Sequence, residues 1–309
     1  MNSKVVLVTG GAGFIGSHLA QELAERNYNV VIIDNLFTGK KENIEELVKK
    51  DNVEFNQGSV TDVPLLQSLF KGVEYVFHQA AIPSVPRSVA NPLASHEANA
   101  TGTLNVLLAA RDSGVKKVIY ASSSSVYGDI PTLPKREDMA PNPQSPYAVT
   151  KLTGEYYCQV FQQVYGLSTV CLRYFNVYGP GQDPDSQYAA VIPKFIKRVS
   201  EGMPPIIFGD GEQTRDFTFI RDAVEANILF AESNASGVFN IGKGSKISIN
   251  ELAMLVSRLM DKDLEPVHHA PRAGDIRHSL ADIAKAKACG YNPKYTLERG
   301  LKETIIGFS

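Results

Sequence analysis

Short apolar runs alternate with amphipathic stretches along the first 177 residues, and the alternation sets the expected fold. Val5-Val6-Leu7-Val8-Thr9 has no polar position between its β-branched residues, which suggests a strand buried on both faces, as in a parallel sheet. Further strands are expected at Val30 to Ile33, Val53 to Phe55, Tyr75 to His78, Lys117 to Ala121 and Thr169 to Arg173. Between them, helices are expected at Phe14 to Arg26, Glu42 to Lys50, Val63 to Phe70, His96 to Ser113 and Tyr147 to Tyr165. The fourth places Leu104, Leu107, Leu108 and Ala110 at helical spacing and stops at Gly114. Strand and helix in turn, joined by right-handed crossovers, describe a doubly wound α/β fold with a parallel sheet.

Beyond Tyr178-Gly179-Pro180-Gly181 the rhythm loosens. Helices are expected near residues 190–201, 221–232, 249–260, 282–289 and 297–308, with short strands at 206–208, 216–220, 237–241 and 266–268. This predicts a smaller α/β lobe partly interleaved with the first unit. The expected division is 1–177 plus about 216–241 for the Rossmann unit, and about 178–215 plus 242–309 for the second.

Composition narrows the partners. The 309 residues are 43% hydrophobic and 21% charged, with a net charge of −2, which gives no reason to invoke nucleic acid or an anionic membrane. Cys158, Cys171 and Cys289 are too few and too scattered for a disulfide framework or a zinc site, and His268-His269 has no ligand companions at helical spacing; no metal is expected. No apolar run is long enough to span a bilayer, and Met1 to Lys4 runs straight into the first strand without room for a signal peptide, so a cytoplasmic protein is expected.

The first strand ends in Gly10-Gly11-Ala12-Gly13-Phe14-Ile15-Gly16. Gly10 allows a tight turn, Gly13 lets the backbone approach a pyrophosphate, and Gly16 lets the next helix lie close to the strand. The opening N–H groups of that helix make an anion site. Asp34 ends the second strand, where a carboxylate accepts from both ribose hydroxyls and repels a 2′-phosphate, favouring NAD over NADP. Asp62 has two possible roles, capping the helix that begins at Val63 or facing the adenine.

Tyr147 and Lys151 lie one turn apart on a helix that follows the fifth strand, and Ser122 to Ser125 end that strand. Ligands in such folds bind beyond the carboxyl ends of the strands. A phenol of pKa about 10 is a poor base, but a lysine ammonium and an oxidised nicotinamide both favour its phenolate. The serines have no local histidine to make one of them a nucleophile, so they suit holding a substrate hydroxyl.

With these motifs, and with Ser145-Pro146-Tyr147-Ala148-Val149-Thr150-Lys151, Arg173 to Pro180, Arg215-Asp216-Phe217 and Gly274-Asp275, the chain resembles the extended short-chain dehydrogenase/reductases, and among them the UDP-hexose 4-epimerases. The resemblance implies that Tyr147 is the base, that Ser123 holds the reacting oxygen and that Lys151 grips the nicotinamide ribose. It implies further dinucleotide contacts from Phe14, Ile15, Asn35, Asp62, Val63, Ala80, Ala81, Asn99, Ser122 and Tyr174. The UDP-sugar would meet Ser84, Ser124, Ser125 and Val191, with Asn176, Arg215 and Arg272 on the phosphates, Asp275 on the uridine ribose and Phe208 near the base. Arginine forks suit a diphosphate because they bind it bidentately.

Related dehydratases carry an Asp-Glu pair where this chain has Ser124-Ser125, so elimination and decarboxylation are disfavoured. Ser279 stands where epimerases often carry a tyrosine beside the sugar C2, and it leaves room for an N-acetyl group. The expected substrates are UDP-GlcNAc/UDP-GalNAc together with UDP-Glc/UDP-Gal. UDP-glucuronate 4-epimerisation is the alternative, and a non-catalytic NAD-binding protein on this fold is the reading of another class. A homodimer is also implied, pairing the helices at 96–113 and 147–165, with Leu104, Leu107, Leu108, Phe161 and Val164 in excess of one core face.

Overall fold

A computed structural model describes residues 4–185, 190–271 and 276–308. Among these residues the strands β1 (Val5–Thr9), β2 (Asn29–Asp34), β3 (Val53–Gln57), β4 (Tyr75–His78), β5 (Lys117–Ser123) and β6 (Ser168–Tyr174) join Gly237–Ile241 in one parallel sheet. From one edge the order is Gly237–Ile241, β6, β5, β4, β1, β2, β3. The order in which strands are added reverses between β1 and β4, where Thr9 pairs with both Ile33 and His78, and this switch point opens the crevice.

Alternate residues of each strand feed different cores, which is why the runs carry no polar alternation. Val6 and Val8 join Leu19 and Leu23 of α1 (Phe14–Glu25) on one face, whereas Leu7 joins the opposite core. That second core holds Leu66 of α2 (Val63–Leu69). After β4 come α3 (Val85–Ala90), α4 (Pro92–His96), a π-helical turn Glu97–Thr101 and α5 (Gly102–Asp112). Val106 and Leu107 of α5 and Phe161 of α6 (Pro146–Tyr165) complete the second core. Cys158 of α6 and Cys171 of β6 meet there as free thiols, and hydrogen bonding to Cys158 together with burial pushes the Cys171 thiol up.

The remaining elements include α7 (Val191–Ser200), α8 (Ile220–Glu232), which returns to the face covered by α1, and Ile249–Leu259 with Ala284–Ala288 and Leu297–Ile306. The end of α8 is closed from the sheet. Buried Lys117 donates to the carbonyls of Phe230 at 3.2 Å, Ala235 at 3.3 Å and Ser233, satisfying acceptors the helix leaves open.

Three expected elements differ. The charged stretch at 42–50 forms two short 3₁₀ turns, Lys41–Ile44 and Leu47–Lys49, because only Ile44 and Leu47 are buried and no apolar face holds a longer helix. The single helix at 96–113 is broken by the π turn. The strand expected at 216–220 becomes Thr214–Arg215 and Thr218–Phe219, parted by the fully buried Asp216, whose side chain is bonded elsewhere.

Candidate functional site

The crevice at the switch point is a cleft of about 930 Å³. Gly10 turns with φ +69°, and a Cβ there would lie 2.7 Å from Ala80; one on Gly16 would lie 2.1 Å from the Gly10 carbonyl. These approaches let α1 begin beside the strand end. Gly13 is the N-cap and has no side chain to cover the first turn, so the amides of α1 face the cleft.

Gly10, Gly13, Phe14, Ile15, Gly16, Asp34, Asn35, Ala80, Ala81, Ser122 and Tyr174 all line this cleft, with Ser84, Tyr147 and Lys151. Asp34 is buried, accepts from the amides of Ala12 (3.0 Å) and Leu36 (2.8 Å), and is pushed up by burial.

Three expected cofactor residues, Asp62, Val63 and Asn99, lie outside the cleft lining. Asp62 is the cap of α2, accepting from Leu65 N at 3.1 Å, and neither it nor the half-exposed Val63 lines the cleft. Asn99 is buried in the π turn. Its amide receives Ile82 N at 2.7 Å and donates to Ile82 O at 3.2 Å and Thr150 Oγ1 at 3.1 Å, so it fixes the wall of the cleft to α6 from behind. Beside it, His78 bridges the hydroxyls of Thr9 (2.7 Å) and Thr103 (2.9 Å); burial, with the Lys151 charge second, pushes its imidazole down to about 3.

The reactive end is built from β5 and α6. Ser145 caps α6 by accepting from Ala148 N, with Pro146 in its first turn, and Tyr147 and Lys151 follow on one face. Burial pushes the Tyr147 phenol up, and a hydrogen bond from the Ser123 hydroxyl works in the opposite direction. Lys151 is buried; its ammonium donates to Ala121 O at 2.7 Å, sits 5.9 Å from the Tyr147 ring centre and is lowered by burial to about 7. Ser123 also caps the 3₁₀ turn Ser124–Tyr127, accepting from Ser125 N, while the buried Ser125 Oγ has no partner among the described residues. The arrangement offers a proton acceptor, a hydroxyl and a cation around one point beside the cleft.

Ser84 apart, the expected substrate residues among those described lie outside the cleft lining. Asn176, at φ +32°, donates to Asp216 O at 2.9 Å. Arg215 donates to the carbonyl of Thr214 at 2.9 Å, and Ser279 N donates to the same carbonyl at 3.0 Å, which brings 215 and 279 together. Phe208 packs edge-on to His269, and Val191 opens α7 between Ala190 and Pro193, which do line the cleft. Asp216 organises this region: its carboxylate accepts from the amides of Lys243 (2.8 Å), Gly244 (3.0 Å) and Ala281 (3.1 Å), and burial pushes it up to about 6. Arg272 and Asp275 lie outside the described residues.

Sequence reasoning missed part of the rim. Thr38, Gly39, Lys40, Thr61 and Asp183 line the cleft, and Lys40 reaches Asp183 across it at 2.8 Å. The Thr-Gly-Lys step just after Asp34 was the available signal. It also missed the buried pair Glu155–Arg173.

Residues 6–242 match the NAD dependent epimerase/dehydratase family. A putative UDP-glucose 4-epimerase of Methanocaldococcus jannaschii is 41% identical over 303 residues, spanning 97% of each chain. The solved UDP-N-acetylglucosamine 4-epimerase from Methanobrevibacter ruminantium M1, in complex with UDP-N-acetylmuramic acid, superposes with a TM-score of 0.96 at 43% identity, covering 100% of this chain and 99% of that one. The UDP-glucuronic acid 4-epimerase from Bacillus cereus, in complex with UDP-glucuronic acid and NAD, superposes at 0.91 with 35% identity, covering 98% of both.

Proposed function

The chain belongs to the NAD-dependent epimerase/dehydratase family, and from that premise we propose that it inverts C4 of UDP-hexoses, acting on UDP-GlcNAc/UDP-GalNAc and on UDP-Glc/UDP-Gal. The observation that carries the reading is the meeting of Ser123, Tyr147 and Lys151 at the end of β5, beside a cleft whose residues fit a dinucleotide. In it the Gly10–Gly16 turn and the α1 amides would hold the pyrophosphate, Asp34 the adenosine ribose and Lys151 the nicotinamide ribose. When bound, the nicotinamide supplies a reversible hydride acceptor. Ser123 orients the sugar 4-oxygen, and Tyr147 takes its proton and returns it once the 4-keto sugar has presented its other face. Lys151 favours the phenolate in its ammonium form. The Rossmann unit, 1–177 plus about 216–241, would carry the dinucleotide, and 178–215 plus 242–309 the UDP-sugar.

The small, buried Ser279 supports the N-acetylated substrates. The identity of 43% to a UDP-N-acetylglucosamine 4-epimerase, against 35% to a UDP-glucuronic acid 4-epimerase, points the same way. The test is NMR of purified protein incubated, without added NAD, with UDP-GalNAc, UDP-galactose and UDP-glucuronate in turn. Conversion of UDP-GalNAc is expected; conversion of UDP-galactose without it overturns the N-acetyl assignment, and conversion of UDP-glucuronate alone replaces it. Ser279→Tyr is expected to lower UDP-GalNAc turnover about tenfold or more while sparing UDP-galactose.

A homodimer through α6 is part of the same proposal. Leu107 and Phe161, expected at that interface, are buried in the chain's own core; Val164, also expected there, is exposed and lies in one stripe with Val149, Tyr156 and Val160. Light scattering at the monomer mass would refute it.

A further inference from the structure

A charged pair lies inside the protein one step behind the reactive groups. Glu155 and Arg173 have side chains only 4% exposed and are joined by two hydrogen bonds, Nε to Oε1 at 2.8 Å and Nη2 to Oε2 at 2.7 Å. Such a pair is poor value as a stabiliser, since desolvating both charges costs about as much as their attraction returns. What it supplies here is a fixed geometry between three elements.

Tyr147, Lys151 and Glu155 are spaced by four residues along α6 and form one stripe. The last two of them hold consecutive residues of β5: Lys151 donates to Ala121 O at 2.7 Å, and Glu155 accepts from Ser122 Oγ at 2.5 Å. The next residue is Ser123. Arg173 is the registered β6 partner of Ser122, and its guanidinium lies 4.6 Å from the ring centre of Tyr127, in the turn that Ser123 caps. Tyr127 in turn donates to Asn240 Oδ1 at 2.7 Å, on the outermost strand. One carboxylate thus ties the helix carrying the base to the strand end carrying the hydroxyl.

Resting on the 4-epimerase reading, we propose that Glu155 is a positioning residue: through Ser122 it sets where the Ser123 hydroxyl meets the Tyr147 phenol. Arg173 holds the carboxylate aimed through its two hydrogen bonds. Loss of the carboxylate lets the end of β5 drift from α6, and the hydrogen bond that favours the phenolate weakens.

The test compares Glu155→Gln with Glu155→Gln/Arg173→Met, in which both charges are gone. Melting temperature, kcat and KM for the UDP-sugar, and ultraviolet titration of the Tyr147 phenol are measured, the last by difference from Tyr147→Phe. In Glu155→Gln, kcat is expected to fall about 10²-fold with KM within about twofold, and the Tyr147 midpoint to move up. The double variant is expected to regain its melting temperature without regaining kcat. Recovery of both together, or a folded Glu155→Gln with an unmoved phenol midpoint, overturns the proposal.

The pair also borders a cavity of about 370 Å³ between α6 and the edge of the sheet, lined by Gln159, Gln162 and Thr169. Formate can therefore reach the gap left by Glu155→Ala and is expected to restore part of kcat; restored melting temperature alone counts against positioning. If Glu155→Gln does not fold, Ser122→Ala keeps the ion pair and removes its link to β5, and the same upward shift is expected in the phenol titration of the cofactor-free protein. A wild-type chain that turns over no UDP-sugar overturns the 4-epimerase reading, while the phenol titration still decides the role of Glu155.

Discussion

The dinucleotide cleft and the region around Asp216 are organised by opposite means. In the cleft the backbone does the shaping: glycines bring β1, α1 and the end of β4 into contact, and side chains such as His78 and Asn99 brace it from behind. Around Asp216 a single buried side chain does it, as its carboxylate draws the amides of residues 243, 244 and 281 around itself. The first kind of site follows from local sequence. The second depends on which distant amides a carboxylate finds after folding.

The comparison can be broken at several points. Tyr147→Phe should have the largest effect, lowering kcat about 10²–10⁴-fold while bound NAD is retained, read by NMR of epimerisation and by cofactor release on denaturation. Gly16→Ala forces its Cβ against the Gly10 carbonyl at 2.1 Å. It should cost about 3 kcal/mol in denaturant melts and yield protein stripped of NAD, with the region around Asp216 unaffected. Asp216→Asn should reverse that pattern. Losing the carboxylate leaves an amide facing N–H donors, at a cost of about 2 kcal/mol, and KM for the UDP-sugar should rise while NAD stays bound.

The smallest effect separates the regions by pH. His78 is lowered to about 3 from 6.5, so between these values the unfolded chain binds more protons and stability rises with pH. Asp216 is raised to about 6 from 3.8, so there the folded chain binds more protons and stability falls as pH rises. Between about pH 4 and 6 the two slopes oppose each other, each at most about 1.4 kcal/mol per pH unit. His78→Gln should therefore show stability falling with pH across this window in chemical denaturation, and Asp216→Asn should show it rising. Identical slopes in both would mean that neither group is held as described.

The same contrast explains what the sequence made legible. Strands buried on both faces announce themselves as apolar runs, and the Gly10–Gly16 turn, Asp34, Tyr147 and Lys151 follow at their ends, so the sheet and the cleft were readable. The π turn was hidden because one extra residue in a helix leaves the apolar pattern at 102–112 intact while turning Asn99 inward. Asp62 was ambiguous because a cap and a ligand contact ask for the same residue type. The strand expected at 216–220 failed because apolar neighbours masked a buried carboxylate, whose partners lie 27 to 65 residues away. Glu155 and Arg173 are separated by 18 residues, and nothing local says they meet.

The two thiols between α6 and β6 keep time for the catalyst. Cys158 and Cys171 are shut inside the layer that joins α6 to the sheet, and Cys171 is held well away from its reactive thiolate form. An electrophile meets them only during moments when that layer parts. Their rate of alkylation is therefore a clock for how often α6 lets go of the sheet, and bound dinucleotide should slow it.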